Sequence, residues 1–143
     1  MSATTENSAA ITASDVHRHC WLCGNLNPRS LKLSFQVAAD GGVRSRFRAP
    51  AELQGYDGVL HGGVIASALD AAMTHCLFQR GVQGLTGDLH VRFARPVSCN
   101  VELELRAWLS ACQPPLYRLK AELTQNDRVM AWGEAKFVRR RER

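Results

Sequence analysis

Asp70 is the single formal charge in an apolar stretch, VIASALDAAMTHCLFQ, that occupies residues 64–79. An ionised carboxylate in such surroundings is costly unless it is paired or hydrogen-bonded. Two uses fit it. One is a structural ion pair or a backbone hydrogen bond. The other is a carboxylate held ready as general base or nucleophile. Three neighbours favour chemistry. Gly62 and Gly63 stand at the start of the stretch. There they present bare N–H groups and the positive end of a helix dipole to a carbonyl oxygen gaining negative charge; their plainer use is a tight entry turn. His61 directly precedes them and alone suits a structural role. Thr86 and Asp88 open the next strand, where they bring a hydroxyl and a second acid toward the helix or merely form a turn.

Spacing constrains what these groups can share. Gly62 and Asp70 are eight residues apart, about 12 Å along a helix axis at 1.5 Å per residue. An oxyanion donor must stand about 3 Å from its oxygen, and the attacking group must lie close to the same carbonyl. One helix cannot easily serve one bond with both. Two antiparallel copies can, so a catalytic pair predicts a site across a dimer interface.

The elements that position these residues follow from patterning. Residues 31–37 alternate apolar and polar, Asp40-Gly41-Gly42 marks a hairpin turn, and residues 43–48 alternate again. Residues 51–60 form a loop. The length of the apolar run predicts a helix over residues 64–79, closed by Arg80-Gly81 and buried on all sides. Strands are expected at 86–93, 100–109, 116–123 and 129–138, with a turn at Asn126-Asp127. The expected architecture is α+β, an antiparallel sheet wrapped around one long central helix. A flexible tail is expected at 1–15 and a single domain at 16–143, and a second copy of the chain would cover the far side of the helix.

Gly55-Tyr56-Asp57-Gly58-Val59-Leu60-His61-Gly62-Gly63-Val64-Ile65, followed by Asp70, resembles the hotdog-fold acyl-CoA thioesterases of the phenylacetate-pathway (PaaI-like) branch, in the 4-hydroxybenzoyl-CoA thioesterase superfamily. Their signature is His-Gly-Gly with an acid nine residues after the His, as from His61 to Asp70. The stretch from Thr86 to Phe93 and Pro96 is similar to the strand that follows the helix in that family. Cys20-x-x-Cys23-Gly24, with Asn27-Pro28, also looks like an opening seen in some hotdog proteins. The likeness runs from about residue 20 to 138.

The resemblance implies thioester hydrolysis by a hotdog-fold homodimer or dimer of dimers. Asp70 would be the base or the nucleophile. Gly62, with Gly63, would polarise the thioester carbonyl from the partner subunit. His61 would orient that loop or touch the thioester, and Thr86 would position water or the acid. Relatives often carry Asn or Gln six residues before the His. Here Gly55 holds that place and Gln54 lies one residue earlier, as the candidate for the substrate-side hydrogen bond. Arg92, Arg95 and the C-terminal arginines are candidates for coenzyme A phosphates. No cofactor is implied. The expected activity is release of free acid and CoA from aryl- or medium-chain acyl-CoA; the alternative is a non-catalytic acyl-CoA binder. A dehydratase ranks below both, because those enzymes enter the helix through Pro-Gly after a separate histidine.

Composition bounds the rest. The 143 residues are 45% hydrophobic and 22% charged, a globular balance sufficient for one core. The net charge is +5, and lysine supplies only three of the 18 Lys and Arg. Arginine suits two-pronged phosphate recognition, though a compositional bias gives the same count. No aromatic residues interleave the basic C-terminus, so nucleic acid is not an expected partner. No run is long enough to span a membrane, and residues 1–14 lack the features of a secretion signal; a cytoplasmic location is the expectation. Five cysteines do not suggest a disulfide framework. Cys20 and Cys23 form one CxxC with His17 and His19 just before it. A structural zinc site commonly uses two ligand pairs, and Cys76, Cys99 and Cys112 stand alone. A compact turn, without metal, is the expected use of that segment.

Overall fold

The computed structural model describes residues 9–141. Its framework is one six-stranded antiparallel sheet in the order β1-β2-β4-β5-β6-β3, around helix α2. The strands are β1 (Gln36–Val37), β2 (Val43–Arg48), β3 (Gly84–Phe93), β4 (Glu102–Gln113), β5 (Leu116–Gln125) and β6 (Arg128–Arg139); α2 is Gly62–Phe78, and a short helix α1 is Ala13–Val16.

Alternation explains how the sheet grips the helix. Leu103 and Leu105 of β4, Leu119 and Leu123 of β5, and Ala131 and Phe137 of β6 are all buried. Leu69, Met73 and Leu77 of α2 are buried with them in one cluster. Burying each leucine contributes about 1.5–3 kcal/mol, so this face fixes the helix against the sheet. The helix ends at Phe78, and Gly81 (φ 72°) takes the left-handed conformation while Val82 N–H bonds Leu77 O.

The opposite face of α2 differs. Gly63, Ala66, Ser67 and Asp70 are exposed or half-buried. Their three- and four-residue spacing puts them on one stripe. The helix is therefore not buried all round within one chain.

The helix and most strands shift their ends by one to four residues from the sequence reading, and two differences are larger in consequence. The strand expected over residues 31–37 shrinks to β1. Lys32 has φ 55°, which breaks the extended run, and Leu31 and Leu33 N–H instead bond the carbonyls of Trp21 and Leu22 at 3.0 and 2.9 Å. The loose tail expected through residue 15 also ends earlier. Ile11 N–H bonds Phe78 O at 2.8 Å, and α1 covers Ala13–Val16; residues 1–8 of that expected tail, with Glu142 and Arg143, lie outside the described residues.

Candidate active site

Asp70 sits in the middle of α2, half-buried, with its carboxylate toward β3. Thr86 Oγ1 donates a 2.6 Å hydrogen bond to Asp70 Oδ1. No salt bridge reaches Asp70 among the described residues. Burial pushes its pKa up from the ordinary aspartate value; the Thr86 hydrogen bond, and to a lesser degree the electrostatic influence of His17, oppose that shift. The result is a desolvated carboxylate with one hydroxyl contact, which is more basic than a surface aspartate.

The structure pairs Thr86 with Asp70 but leaves Asp88 out. The β3–β6 register shifts between Thr86 and Asp88. Thr86 stays opposite Phe137, on the core side, whereas Asp88 stands opposite Lys136. Asp88 accordingly meets His90 Nε2 at 3.3 Å and Lys136 Nζ at 4.0 Å. Gly87 at the shift is the signal in the sequence, since glycine inside a strand often marks a bulge.

At the other end of α2, His61 is the N-cap. Its Nδ1 accepts from Gly63 N–H at 2.8 Å. That fixes the ring proton on Nε2 in a neutral imidazole, and it takes the Gly63 amide out of use. The expected pair of oxyanion donors thus reduces to one. Gly62 N–H has no hydrogen-bond partner among the described residues, and it lies at the positive end of the helix. A Cβ added at Gly62 would lie 3.5 Å from the Phe93 ring, so that ring walls one side of the amide.

Gln54 serves its own loop. Its Oε1 accepts from Gly58 N–H at 2.9 Å, and Gly55 N–H bonds Val59 O at 2.8 Å. The loop preceding His61 is closed by these bonds, and only the Gln54 NH₂ is left to face a ligand. Arg92 and Arg95 are exposed, or nearly so, and no salt bridge engages either among the described residues. A cleft of about 1650 Å³ lies elsewhere, lined by Arg18, Leu85, Arg139, Arg140 and Arg141 among others. It is basic and reaches the residue beside Thr86. Arg139 donates to Tyr117 OH at 2.9 Å and Arg140 to Gln83 Oε1 at 3.2 Å, which orders that wall.

Asp70 and Gly62 remain on one unbroken helix, so about 12 Å still separates them along the axis. A single chain brings Thr86 to Asp70 and His61 to Gly63, but not the two groups of residues to each other.

Residues 57–113, which carry the His-Gly-Gly segment, α2 and β3, match the family model of the Thioesterase superfamily. Among solved structures, a thioesterase superfamily protein superposes with TM-score 0.79 at 27% identity over 85% of this chain, which spans 60% of that protein's length. A Bacillus halodurans protein solved with CoA superposes at 0.70, with 20% identity over 79% of this chain and 77% of its own. The phenylacetic acid degradation protein PaaI from Thermus thermophilus, in mutant form, superposes at 0.69, with 19% identity over 77% of this chain and 95% of its own. The last two likenesses establish the shared fold alone. No curated protein matches the chain by sequence.

Proposed function

We propose that this chain, which shares its fold with thioesterase-superfamily proteins and matches that family's model over residues 57–113, hydrolyses acyl-CoA thioesters, aryl or medium-chain, to free acid and CoA. The observation that carries this reading is the half-buried Asp70, which has a hydroxyl partner and no cation bonded to it among the described residues. A structural acid in an apolar helix is usually held by a charge partner or several hydrogen bonds; Asp70 has one hydroxyl contact and a pKa raised by burial, which suits a catalytic base.

In the proposed reaction, water attacks the thioester carbonyl and gives a proton to Asp70. Thr86 holds the carboxylate in place. The Gly62 N–H of a partner protomer receives the oxygen as it becomes negative. The tetrahedral intermediate then breaks its C–S bond, and the CoA thiolate takes the proton back from Asp70. If Asp70 attacks directly, an acyl anhydride forms and water cleaves it; the net products are identical. His61 acts through Gly63, as a positioning residue for the helix entry.

The composite site requires a second copy. The exposed stripe of α2 and the free edge of β3 support one. β3 pairs only with β6 among the described residues, and its Leu85 and Phe93 are exposed apolar residues. An unpaired apolar edge is a ready template for another chain. A homodimer, and a dimer of dimers beyond it, is the proposed assembly. CoA is the proposed carrier because Arg92, Arg95 and the arginine-lined cleft offer phosphate partners, and because two proteins of this fold were solved with CoA.

Release of free thiol from a panel of acyl-CoAs, followed with a thiol reagent, tests the reading. Turnover on aryl or medium-chain esters is the expected result. Tight binding with the thioester intact at equimolar protein would instead establish a silent binder. A single turnover in ¹⁸O-water bears on the role of Asp70. Label in the Asp70 carboxylate establishes a nucleophile whose anhydride water cleaves at the aspartyl carbonyl. Label in the acid alone fits a base or cleavage at the acyl carbonyl, which trapping of the anhydride tells apart.

A further inference from the structure

We propose that His17, Cys20 and Cys23 form a zinc site. The three side chains hold one imidazole nitrogen and two sulfurs within 4.8 Å of one another. His17 Nδ1 stands 3.6 Å from Cys23 Sγ. Tetrahedral zinc, with Zn–N near 2.0–2.1 Å and Zn–S near 2.3 Å, requires an N···S edge of about 3.5 Å. The pair therefore already stands at the separation that a shared ion would impose. A simple thiol-to-imidazole hydrogen bond would also give this distance, but it does not need Cys20 alongside.

The backbone holds the three ligands in place without metal. Cys20 N–H bonds His17 O at 3.0 Å, which folds the histidine over the turn. Leu22 N–H donates to Cys20 Sγ at 3.3 Å, a contact that strengthens when the sulfur is a thiolate. Gly24 N–H bonds Cys20 O at 2.8 Å, and a Cβ at Gly24 would fall 2.6 Å from that oxygen and 2.7 Å from Arg18 O. Only glycine permits so tight a return after the second cysteine. The His17 ring packs edge-on against Phe78, with centroids 5.0 Å apart. One ligand is thereby anchored to the end of α2 and the other two to the turn.

The donor set selects the ion. Two thiolates and a neutral imidazole suit zinc and reject hard cations such as magnesium and calcium. Three protein ligands leave one position for water, and His17 and Cys20 line the cleft from which water would enter. The site's role is a clip. Between α1 and β1 the segment has no helix or strand of its own, and the metal would lock its turn onto the C-terminal end of α2. This proposal does not rest on the hydrolase reading.

The test uses the full chain, purified and then stripped of metal under reducing conditions. Metal analysis of the protein as purified is expected to give one zinc per chain. Cobalt(II) titrated into the stripped protein is expected to give a thiolate-to-cobalt charge-transfer band saturating at one equivalent. Cys20→Ser and His17→Ala are each expected to weaken cobalt binding more than ~10-fold, since even outer-shell changes cost that much. His19→Ala and Cys112→Ser are expected to leave it unchanged. The proposal is overturned if reduced wild-type protein gives no thiolate–cobalt band, or if the band persists unaltered in His17→Ala. The wild-type titration decides the matter even where a variant fails to fold.

Discussion

Thr86 Oγ1 lies 2.6 Å from Asp70 Oδ1, so the edge strand β3 reaches over the stripe of α2 that the sheet does not cover and holds the carboxylate from the side. A hydrogen bond to a carboxylate favours its charged form. Burial works against that bond and wins, leaving the Asp70 pKa above its ordinary value.

Thr86→Ala removes the hydroxyl that favours the charged carboxylate. The pKa of Asp70 is expected to climb further. A base is active when deprotonated, so the acid limb of kcat/KM is expected to move to higher pH in Thr86→Ala. Thr86→Ser is expected to keep the wild-type limb. A pH–rate profile superimposable on wild type in Thr86→Ala would deny the hydroxyl this role.

Asp70→Asn is isosteric and keeps an acceptor for Thr86. It is expected to lower kcat by about 10²- to 10⁴-fold. Stability is expected to move the other way. The raised folded-state pKa means that ionised Asp70 costs the folded state free energy above that pKa, and less as pH falls through it. Removing the charge therefore leaves the melting temperature at neutral pH unchanged or higher. Retained turnover, or a collapsed fold, would contradict the assignment.

The central helix and its acid were legible because both are local. A long apolar run with one charge points to a largely buried helix with an exceptional residue, and Thr86 was a candidate from its place at the start of the next strand. What escaped was set by single backbone details. The irregularity beside Gly87 moved Asp88 to the Lys136 side of the sheet, and Lys32 at positive φ ended a strand that its alternation promised. The His61 ring occupied the Gly63 amide, which spacing alone cannot show. His17 joined Cys20 and Cys23 through packing against Phe78, 61 residues away in sequence, a contact that no short motif encodes.

Gly62→Pro tests the shared site. Gly62 is the first residue of α2, where proline lacks only an N–H that the helix does not use. His61 has φ −62° and ψ 134°, a conformation compatible with a following proline. The fold is expected to survive while the oxyanion donor is lost, with kcat down by about 10²- to 10³-fold. Mixed with Asp70→Asn under conditions of subunit exchange, hybrid dimers would each hold one intact site. Random reassortment makes half the dimers hybrid, so recovery is expected to approach about a quarter of wild-type activity. No recovery despite exchange shown by mass spectrometry would place both groups in the same subunit or outside the reaction.

His75 predicts how the fold responds to acid. It is buried in α2, stacked on Phe35 at 4.4 Å, and its Nε2 has no hydrogen-bond partner among the described residues. Burial pushes its pKa down to about 4 from 6.5. The unfolded chain thus takes up a proton near pH 6.5 that the folded chain refuses until about pH 4. Above pH 6.5 the histidine costs nothing. Between those values the unfolded state binds more protons, so stability falls with falling pH by up to 1.4 kcal/mol per unit, about 2 kcal/mol by pH 4.5. His75→Phe keeps an aromatic ring against Phe35 and removes the titration. Denaturant unfolding of both proteins at pH 7 and pH 4.5 is expected to show the variant losing about 2 kcal/mol less than wild type over that interval. Equal losses would mean that His75 is reached by water and protonates in place.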